Sequence, residues 1–364
     1  MPGVYLSFPF CAQKCSFCNF ASGVFPRELE REYIDALTAE IRAQNWQWTP
    51  DTVYIGGGTP SRIADADLSG ILAAIPGRPW REATIEAAPG SLTRTSVERW
   101  LDAGLNRVSL GVQSFVTSEL ARTGRKHTAA TVEHEVAMLR EAGIDNINVD
   151  LIAGLPGQTA ESWDLSLDWV ERLSPPHVSV YLFEIDEDSR LGLEVLNNGD
   201  RYGAGAIPDE ESMALLYETA VRRLAATGIQ RYEISNFARP GFGSLHNLKY
   251  WKLEPYIGLG ADAHSFDGIK RWGNVESAAE YVARSRAGGS LKLEATDACA
   301  EEERFFVGLR LMDGIRPEPA DWARYAEPIE RLIGVGLLTR EGDVLRLTDR
   351  GVLISNDVFQ EFVA

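Results

Sequence analysis

Short apolar runs alternate with longer amphipathic segments through the first half of the chain. In segment 28–45 the apolar residues recur every three or four positions and form a stripe along one side, which predicts a helix packed on a core. Similar spacing predicts helices over 65–75, 95–103, 129–142 and 160–172. The short apolar runs between them predict six strands, over 4–8, 52–55, 83–87, 107–112, 147–152 and 178–183.

This alternation predicts an α/β fold with parallel strands joined by right-handed crossovers. Six such units fit an incomplete (β/α)6 barrel, and 364 residues are enough to build one. An open doubly wound sheet has the same periodicity and remains an alternative. The polar motifs favour the barrel, because side chains at the carboxyl ends of barrel strands meet at one mouth.

The pattern changes after the sixth strand. Residues 197–208 are rich in glycine and predict a mobile loop, followed by a helix at about 209–227 and a strand and turn in RYEISNFARPG. From about residue 296, two helices precede two short strands joined by a turn around Gly342, an order that resembles a winged helix. We therefore expect a core over 1–200, an extension of the barrel over 201–295 and a small winged-helix-like α+β domain over 296–364.

The charge of the chain argues against a nucleic-acid partner. The net charge is −17 and the pI about 4.8, so the surface repels a phosphate backbone. Residues 297–364 carry eight arginines, no lysine and fourteen acidic residues, a net charge of −6. We therefore expect the winged-helix-like domain to pack over the barrel mouth or to contact a protein partner rather than DNA.

Two further features indicate the cellular compartment. No apolar run is long enough to span a bilayer, and the first ten residues have no basic segment typical of a signal peptide. Four cysteines, three of them close together, do not form a secreted disulfide framework. We expect a cytoplasmic protein whose thiols stay free to bind metal.

Cys11, Cys15 and Cys18 follow the first predicted strand in a C-x3-C-x2-C pattern. One interpretation is three unliganded thiols, although free cysteines seldom cluster on a loop. A second is structural zinc, which usually takes four protein ligands in two separated pairs, whereas the fourth cysteine is Cys299. The third, which we favour, is a four-iron cluster in which three irons bind thiolates. Its fourth iron stays open for a substrate or cofactor.

Polar residues also end or follow the other predicted strands. GGGTP, residues 56–60, follows the second strand, Glu86 ends the third, Gln113 ends the fourth, and Asp150 lies in the fifth. Each has a structural alternative: a turn for the glycines and a hydrogen-bonded core residue for each polar side chain. Together at one rim they suit a ligand with an amine, a carboxylate and two ribose hydroxyls. The planar guanidinium of Arg125 could hold that carboxylate.

The cysteine pattern resembles that of the radical SAM proteins. In that superfamily the open iron of a 4Fe-4S cluster chelates the amino and carboxylate groups of S-adenosylmethionine (SAM). The resemblance implies that the three cysteines hold this cluster and that GGGTP binds the SAM amino group. The residues that it implies for SAM are Tyr5, Gly57, Gly58, Thr59, Glu86, Gln113, Arg125, Asp150 and His264.

Eight motifs, in order, make the resemblance narrower. They are YLSFPFCAQKCSFCNF, YIGGGTPS, GVQSF, TGRKH, VDLIAGLPGQT, YEISNFARPG, HNLKYW and YIGLGADAHS, and they span residues 4–266. Together they resemble the HemW group of haem chaperones, which is related to oxygen-independent coproporphyrinogen III oxidase. The resemblance implies delivery of haem to haem-requiring acceptor proteins. It leaves open a homodimer and a peripheral contact with the inner membrane.

The resemblance also implies a haem site in HNLKYW, at His246, Tyr250 and Trp251. A neutral imidazole is a common axial ligand of haem, and the two aromatic rings could lie along the macrocycle. The alternative is a loop histidine that caps a turn, with two aromatic residues that fill the core.

The alternative function is a radical SAM oxidoreductase that acts on a porphyrinogen. Three departures from the oxidase branch weaken it. That branch has a further cysteine two residues after the third and a histidine two residues after the strand tyrosine, where this chain has Phe20 and Ser7. The third is a longer arm before the cysteines in the oxidases. We therefore expect the chaperone function and doubt decarboxylating oxidase activity.

Overall fold

The structure is a computed structural model and describes residues 1–363. Most of the strands join in one twelve-stranded sheet, and the last two form a separate hairpin. The strands are β1 (Gly3–Phe8), β2 (Thr52–Gly57), β3 (Glu82–Ala87), β4 (Arg107–Gln113), β5 (Asn146–Ala153), β6 (His177–Leu182), β7 (Gln230–Arg231), β8 (Asn236–Ala238), β9 (Tyr256–Leu259), β10 (His264–Phe266), β11 (Lys270–Gly273), β12 (Thr296–Asp297), β13 (Leu338–Glu341) and β14 (Val344–Leu347).

Three of the helices begin at a threonine that caps their first turn. Thr93, Thr128 and Thr159 each form a capping box at a helix start. The helices are α1 (Arg27–Ala43), α2 (Asp65–Ala73), α3 (Arg94–Asp102), α4 (Thr117–Thr123), α5 (Ala129–Ala142), α6 (Ala160–Leu173), α7 (Arg190–Leu196), α8 (Glu210–Ala226), α9 (Leu245–Trp251), α10 (Ala278–Arg286), α11 (Ala300–Phe306), α12 (Pro319–Arg324), α13 (Ala326–Gly334), α14 (Asp349–Leu353) and α15 (Ser355–Gln360).

The first six strands are parallel and lie side by side in chain order, β1 to β6. This sequential order confirms the incomplete (β/α)6 barrel and excludes a doubly wound sheet, in which the strand order reverses. β9 lies parallel to β1 at one side and β8 antiparallel to β6 at the other, so the sheet does not close. All the strands and helices predicted before residue 183 are present, with ends that differ by at most two residues, and α4 is an unpredicted addition.

The region after β6 differs from the prediction. Residues 197–208 contain more local structure than predicted: α7 ends just before them, and the 3-10 segment Arg201–Ala206 within them is interrupted at Tyr202 and Gly203, where φ is positive. The mobility of this loop stays a prediction. The structure places the start of α7 against the cysteine loop, because the Leu191 amide donates to the Ser16 carbonyl at 2.9 Å. This segment therefore supports the loop that carries the three thiols.

The C-terminal residues contain the predicted two helical segments and hairpin, with Gly342 in left-handed backbone at the turn. Two further helices, α14 and α15, follow the hairpin. The expected position over the barrel mouth is wrong. The Arg310 guanidinium lies over the Trp251 ring at 4.4 Å, and the Met312 amide donates to the Tyr232 carbonyl at 3.0 Å. These contacts place the domain near the amino ends of the strands.

Within residues 1–363, no helix is both long enough and apolar enough to cross a bilayer.

Candidate functional site

The barrel has two ends, which we name by their strands. The mouth is the end formed by the carboxyl ends of β1–β6 and the segments that follow them, and the base is the end formed by their amino ends. The cysteine loop and GGGTP lie at the mouth, because they follow β1 and β2. Helix α9, which carries HNLKYW, lies at the base, where His246 contacts Thr52, the first residue of β2.

The cysteine loop is held from both sides. The Cys11 amide donates to the Gly23 carbonyl at 2.8 Å, and the Ser16 amide donates to the Thr123 carbonyl at the end of α4 at 3.3 Å. All three thiols of the loop are free and half-buried. The loop thus presents its thiols from a backbone that other elements fix.

Cys11 lies beside the glycine motif. Burial raises the pKa of the Cys11 thiol, while hydrogen bonds from the Thr59 and Ser22 hydroxyls act in the opposite direction. Cys15 and Cys18 also lie close enough to influence Cys11 electrostatically. In residues 1–363 no group of three His, Cys, Asp or Glu side chains is arranged around a single metal ion. A 4Fe-4S cluster does not require the three thiolates to converge on one ion, because each thiolate binds its own iron.

The glycines of GGGTP are required by close packing against the segment before Cys11. The Gly58 amide donates to the Phe8 carbonyl at 2.7 Å and the Thr59 amide to the Phe10 carbonyl at 3.0 Å. A Cβ on Gly58 would lie 2.7 Å from the Phe10 oxygen, and Gly57 has a φ of +111°. Only glycine can adopt this backbone conformation at such close range. The backbone of the motif therefore lies alongside the segment that leads into the cysteine loop.

Glu86 lies next to the glycines, on the side of the sheet that faces the barrel interior, which we call the inner face. It accepts hydrogen bonds from the Tyr54 hydroxyl at 2.9 Å and from the Gly57 amide at 3.2 Å. Burial raises the pKa of Glu86 to about 7, with a smaller contribution from the negative charge of Asp150. A carboxyl group with a pKa so near neutrality is typical of functional sites.

Asp150 is the second carboxylate of the inner face. The Asn148 amide donates to it at 2.7 Å and the Ser109 hydroxyl at 3.2 Å. Burial raises the pKa of Asp150, and these donors oppose the shift. Asn148 also bonds to His177, whose ring contacts the Tyr232 hydroxyl at 2.9 Å near the base. Polar contacts therefore run from Asp150 through the barrel to the base.

Gln113 and Arg125 both lie beside Gly111, near the carboxyl end of β4. Gln113 has a φ of +69°, and the Arg125 guanidinium donates to the Gly111 carbonyl at 2.6 Å. The buried Arg125 Nε has no hydrogen-bond partner within residues 1–363. Arg125 thus lies at the predicted rim with one donor unused.

His264 and Asp262 lie at the mouth beside β1. The His264 imidazole is exposed, and its Nε2 is 4.0 Å from the Asp262 carboxylate. Asp262 was not predicted, although it stands in GADAHS directly after a strand. It lines a cavity of about 40 Å³ together with Tyr5 and Gly57. The cavity brings together Tyr5 from within β1, Gly57 from the end of β2 and the Asp262 carboxylate from the segment after β9.

His246 does not have the surroundings expected of a haem ligand. Its side chain is fully buried, with Nδ1 2.9 Å from the Thr52 hydroxyl and Nε2 2.7 Å from the Tyr250 hydroxyl. Burial lowers the pKa of the imidazole to about 3, so the ring is neutral at pH 7. Both ring nitrogens are occupied, whereas an axial ligand needs one free.

Tyr250 and Trp251 do not form one surface with that imidazole. The Tyr250 ring packs edge-on against Tyr256, with centroids 4.6 Å apart. Trp251 lies under the Arg310 guanidinium of the C-terminal domain. As folded here, HNLKYW joins the base of the barrel to the C-terminal domain and does not line a haem pocket.

Comparison with known families and proteins identifies relatives of the whole chain. The family "Radical SAM superfamily" matches residues 5–170, and "HemN C-terminal domain" matches residues 300–354. The heme chaperone HemW of Lactococcus lactis is 33% identical over 99% of this chain and 96% of its own length. The heme chaperone HemW of Escherichia coli is 30% identical over 99% of this chain and 98% of its own length.

Among solved structures, coproporphyrinogen III oxidase (HemN) from Escherichia coli, described as a radical SAM enzyme, is similar with a TM-score of 0.85. The similarity covers 99% of this chain and 90% of that one, at 21% identity. At this level of identity the comparison establishes the fold alone.

Proposed function

Because the chain belongs to the HemW family of the radical SAM superfamily, we propose that it is a haem chaperone that delivers haem to acceptor proteins. One observation carries the proposal: 33% identity to a heme chaperone over nearly the whole of both chains. The departures from the oxidase branch at Ser7 and Phe20 support it. The proposed partners are haem and haem-requiring proteins.

We propose that Cys11, Cys15 and Cys18 hold a 4Fe-4S cluster. Their half-buried thiols lie on one loop, beside the backbone of the glycine motif, and this arrangement suits three separate irons. When bound, the cluster would supply one open iron for SAM. The chain itself shields the loop on the sides of α4 and α7.

We propose that SAM binds at the mouth between that loop and the inner face. The backbone of Gly57, Gly58 and Thr59 lies alongside the start of the cysteine loop, with its amides already hydrogen-bonded. Glu86 and Asp150 offer carboxylate acceptors, and Gln113 and Arg125 offer donors for a carboxylate. The contributions of Tyr5 and His264 are proposals of the same kind, supported by their place beside the cavity at the mouth.

The proposal assigns haem no ligand in HNLKYW. His246 has no free ring nitrogen, and Tyr250 and Trp251 face different neighbours. Haem is the cargo of the proposed function, and we route no step of its transfer through these residues. A homodimer and a peripheral membrane contact stay predictions.

Anaerobically reconstituted protein tests the function. It would be loaded with haem, mixed with a haem-free acceptor enzyme and assayed for recovery of acceptor activity, with haem-loaded serum albumin as the control donor. We expect faster recovery with this protein than with albumin. Recovery no faster than with albumin, together with formation of protoporphyrinogen from coproporphyrinogen III, SAM and reductant, would instead support the oxidoreductase.

A further inference from the structure

We infer that Tyr54 and His246 are positioning residues that orient Glu86 at the proposed SAM site. The inference rests on the proposed binding of SAM at the mouth and adds a specific role for HNLKYW. That motif lies at the base, yet a continuous series of contacts joins it to the glycines at the mouth.

The series begins with a histidine that the surrounding structure fixes. The hydroxyls of Thr52 and Tyr250 engage both nitrogens of His246. The Glu82 carboxylate accepts from the Leu245 and His246 amides, each at 2.9 Å, and so anchors the start of α9 to β3. An imidazole held on both sides and at its backbone is a rigid support.

A buried ion pair fixes the other end of the same helix. The Lys249 ammonium lies 2.8 Å from the Asp51 carboxylate, and both side chains are almost fully buried. Asp51 directly precedes β2, so α9 is joined to the amino ends of β2 and β3. These two strands carry Tyr54, Gly57 and Glu86 further along.

The second contact is between His246 and Tyr54. Their rings are stacked, with centroids 5.4 Å apart and an interplanar angle of 28°. The Tyr54 ring also stacks on Tyr5, with centroids 6.1 Å apart. The phenol thus packs against two rings, and these contacts limit its freedom to turn away from Glu86.

The third contact, between Tyr54 and Glu86, lies at the mouth. The Tyr54 hydroxyl donates to Glu86 Oε1, and the Gly57 amide donates to Oε2. There is no spare room, since a Cβ on Gly56 would lie 3.1 Å from Glu86 Oε1 and 3.0 Å from the Tyr54 ring. Two fixed donors therefore set the direction of a carboxylate that lies against the glycine motif.

This geometry suggests what the series does for SAM. A buried carboxylate must have donors to stay ionised, and an ionised carboxylate is the group that accepts from an ammonium. Loss of the Tyr54 hydroxyl leaves Glu86 with a single donor and a free torsion. Loss of the His246 ring removes the support of Tyr54.

The test compares SAM binding in Tyr54→Phe with that in wild type, by anaerobic equilibrium dialysis of reconstituted protein. We expect Kd for SAM to rise roughly three- to tenfold, the effect of one typical lost hydrogen bond, with unchanged iron content. Tyr325→Phe is the matched control, because its buried hydroxyl has no hydrogen-bond partner in the described residues. Unchanged affinity in Tyr54→Phe would overturn the inference.

A second readout separates positioning from general damage to the fold. The hydrogen bond from Tyr54 lowers the pKa of Glu86, whereas burial and Asp150 raise it and Arg107 lowers it. In Tyr54→Phe the pH midpoint of SAM binding should therefore move upward. An unmoved midpoint would overturn the positioning role even if affinity fell.

His246→Ala adds a third arm, with iron content and circular dichroism as checks of folding. In folded His246→Ala, we expect weaker SAM binding in the same direction as Tyr54→Phe. A folded variant with wild-type affinity would remove His246 from the series. Failure of the wild-type protein to bind SAM at all would overturn the proposed SAM site itself, a result that differs from all of these.

Discussion

The imidazole of His246 stacks on the phenol of Tyr54, with ring centroids 5.4 Å apart, inside the barrel. This contact joins a motif at the base to a carboxylate at the mouth, because the same phenol donates to Glu86. Two regions that lie far apart in the sequence therefore act on one proposed binding site. Substitutions at the base and at the mouth should therefore have distinct effects.

Glu82 should be a major contributor to stability. Its carboxylate accepts from the Ser244 hydroxyl and from two amides of α9, and its partner Arg107 is almost fully buried. Glu82→Ala leaves these donors and a buried guanidinium unpaired, so we expect a loss of about 3–5 kcal/mol in the free energy of unfolding. Urea unfolding followed by circular dichroism measures it.

Glu280→Ala is the control for that measurement. Glu280 pairs with Arg284 on the exposed surface of α10, one helical turn away. Such pairs contribute only about 0.3–0.5 kcal/mol. Equal losses in the two variants would show that the base of the barrel is not specially dependent on Glu82.

SAM binding should depend on pH through Glu86. The pKa of this group is raised to about 7, and only its ionised form accepts from an ammonium. Binding should therefore weaken as pH falls from 8 to 6, and Glu86→Gln should bind weakly and without this dependence. The titratable and charged groups that act on Glu86 are Asp150, Arg107 and the phenols Tyr54, Tyr5, Tyr181 and Tyr250. Dialysis with labelled SAM across this range is the measurement, and a Glu86→Gln profile parallel to wild type would contradict the assignment.

The stability of the ligand-free protein should show the opposite trend. A carboxyl whose folded pKa lies above its unfolded value binds more protons in the folded state between the two values. The contribution of Glu86 to the free energy of unfolding should thus fall as pH rises from about 4.5 to 7. The difference between wild type and Glu86→Gln in urea titrations isolates it. If the stability of wild type relative to Glu86→Gln increased with pH, this prediction would be contradicted.

Haem absorbance should not depend specifically on His246. Both ring nitrogens already have partners within the protein, so the imidazole is not free to bind iron. We expect folded His246→Ala to keep the Soret band of haem-loaded protein, like the control His134→Ala on the exposed side of α5. Selective loss of the band in folded His246→Ala would contradict this and restore the ligand role.

The sequence predicted the barrel and the positions of its mouth residues. Strand and helix periods alternate clearly, and parallel strands bring Glu86 and Asp150 to one end whatever the details of packing. The cysteine spacing and the glycine run are likewise local patterns, and they could be interpreted from the sequence alone. These features depend on residues that are near one another in the chain or on a topology with few alternatives.

The surroundings of HNLKYW could not be predicted in the same way. The motif shows an imidazole beside aromatic residues, but the group that occupies Nδ1 is Thr52, 194 residues earlier. Likewise, the contact of Arg310 with Trp251 places the C-terminal domain near the base, and no local pattern encodes it. Both the partner of the imidazole and the position of the domain depend on packing between residues that are distant in the chain.

The three thiols of the cysteine loop are the proposed ligands of the cluster. Cys11→Ser, Cys15→Ser or Cys18→Ser should each lose most of the iron and the visible absorbance of the reconstituted protein, because a thiolate ligand is removed. Cys299→Ser is the control, since its thiol is exposed at the start of α11. The measurement is the iron content of each reconstituted variant. Full retention of iron in all three variants would count against the cluster.

The most direct test of the central claim is electron paramagnetic resonance of the reduced, anaerobically reconstituted protein with and without SAM. The account predicts about four irons per chain and a spectrum that changes when SAM is added, because one iron is open to a new ligand. Zinc in place of iron, or a fully loaded cluster whose spectrum SAM leaves unchanged, would contradict it.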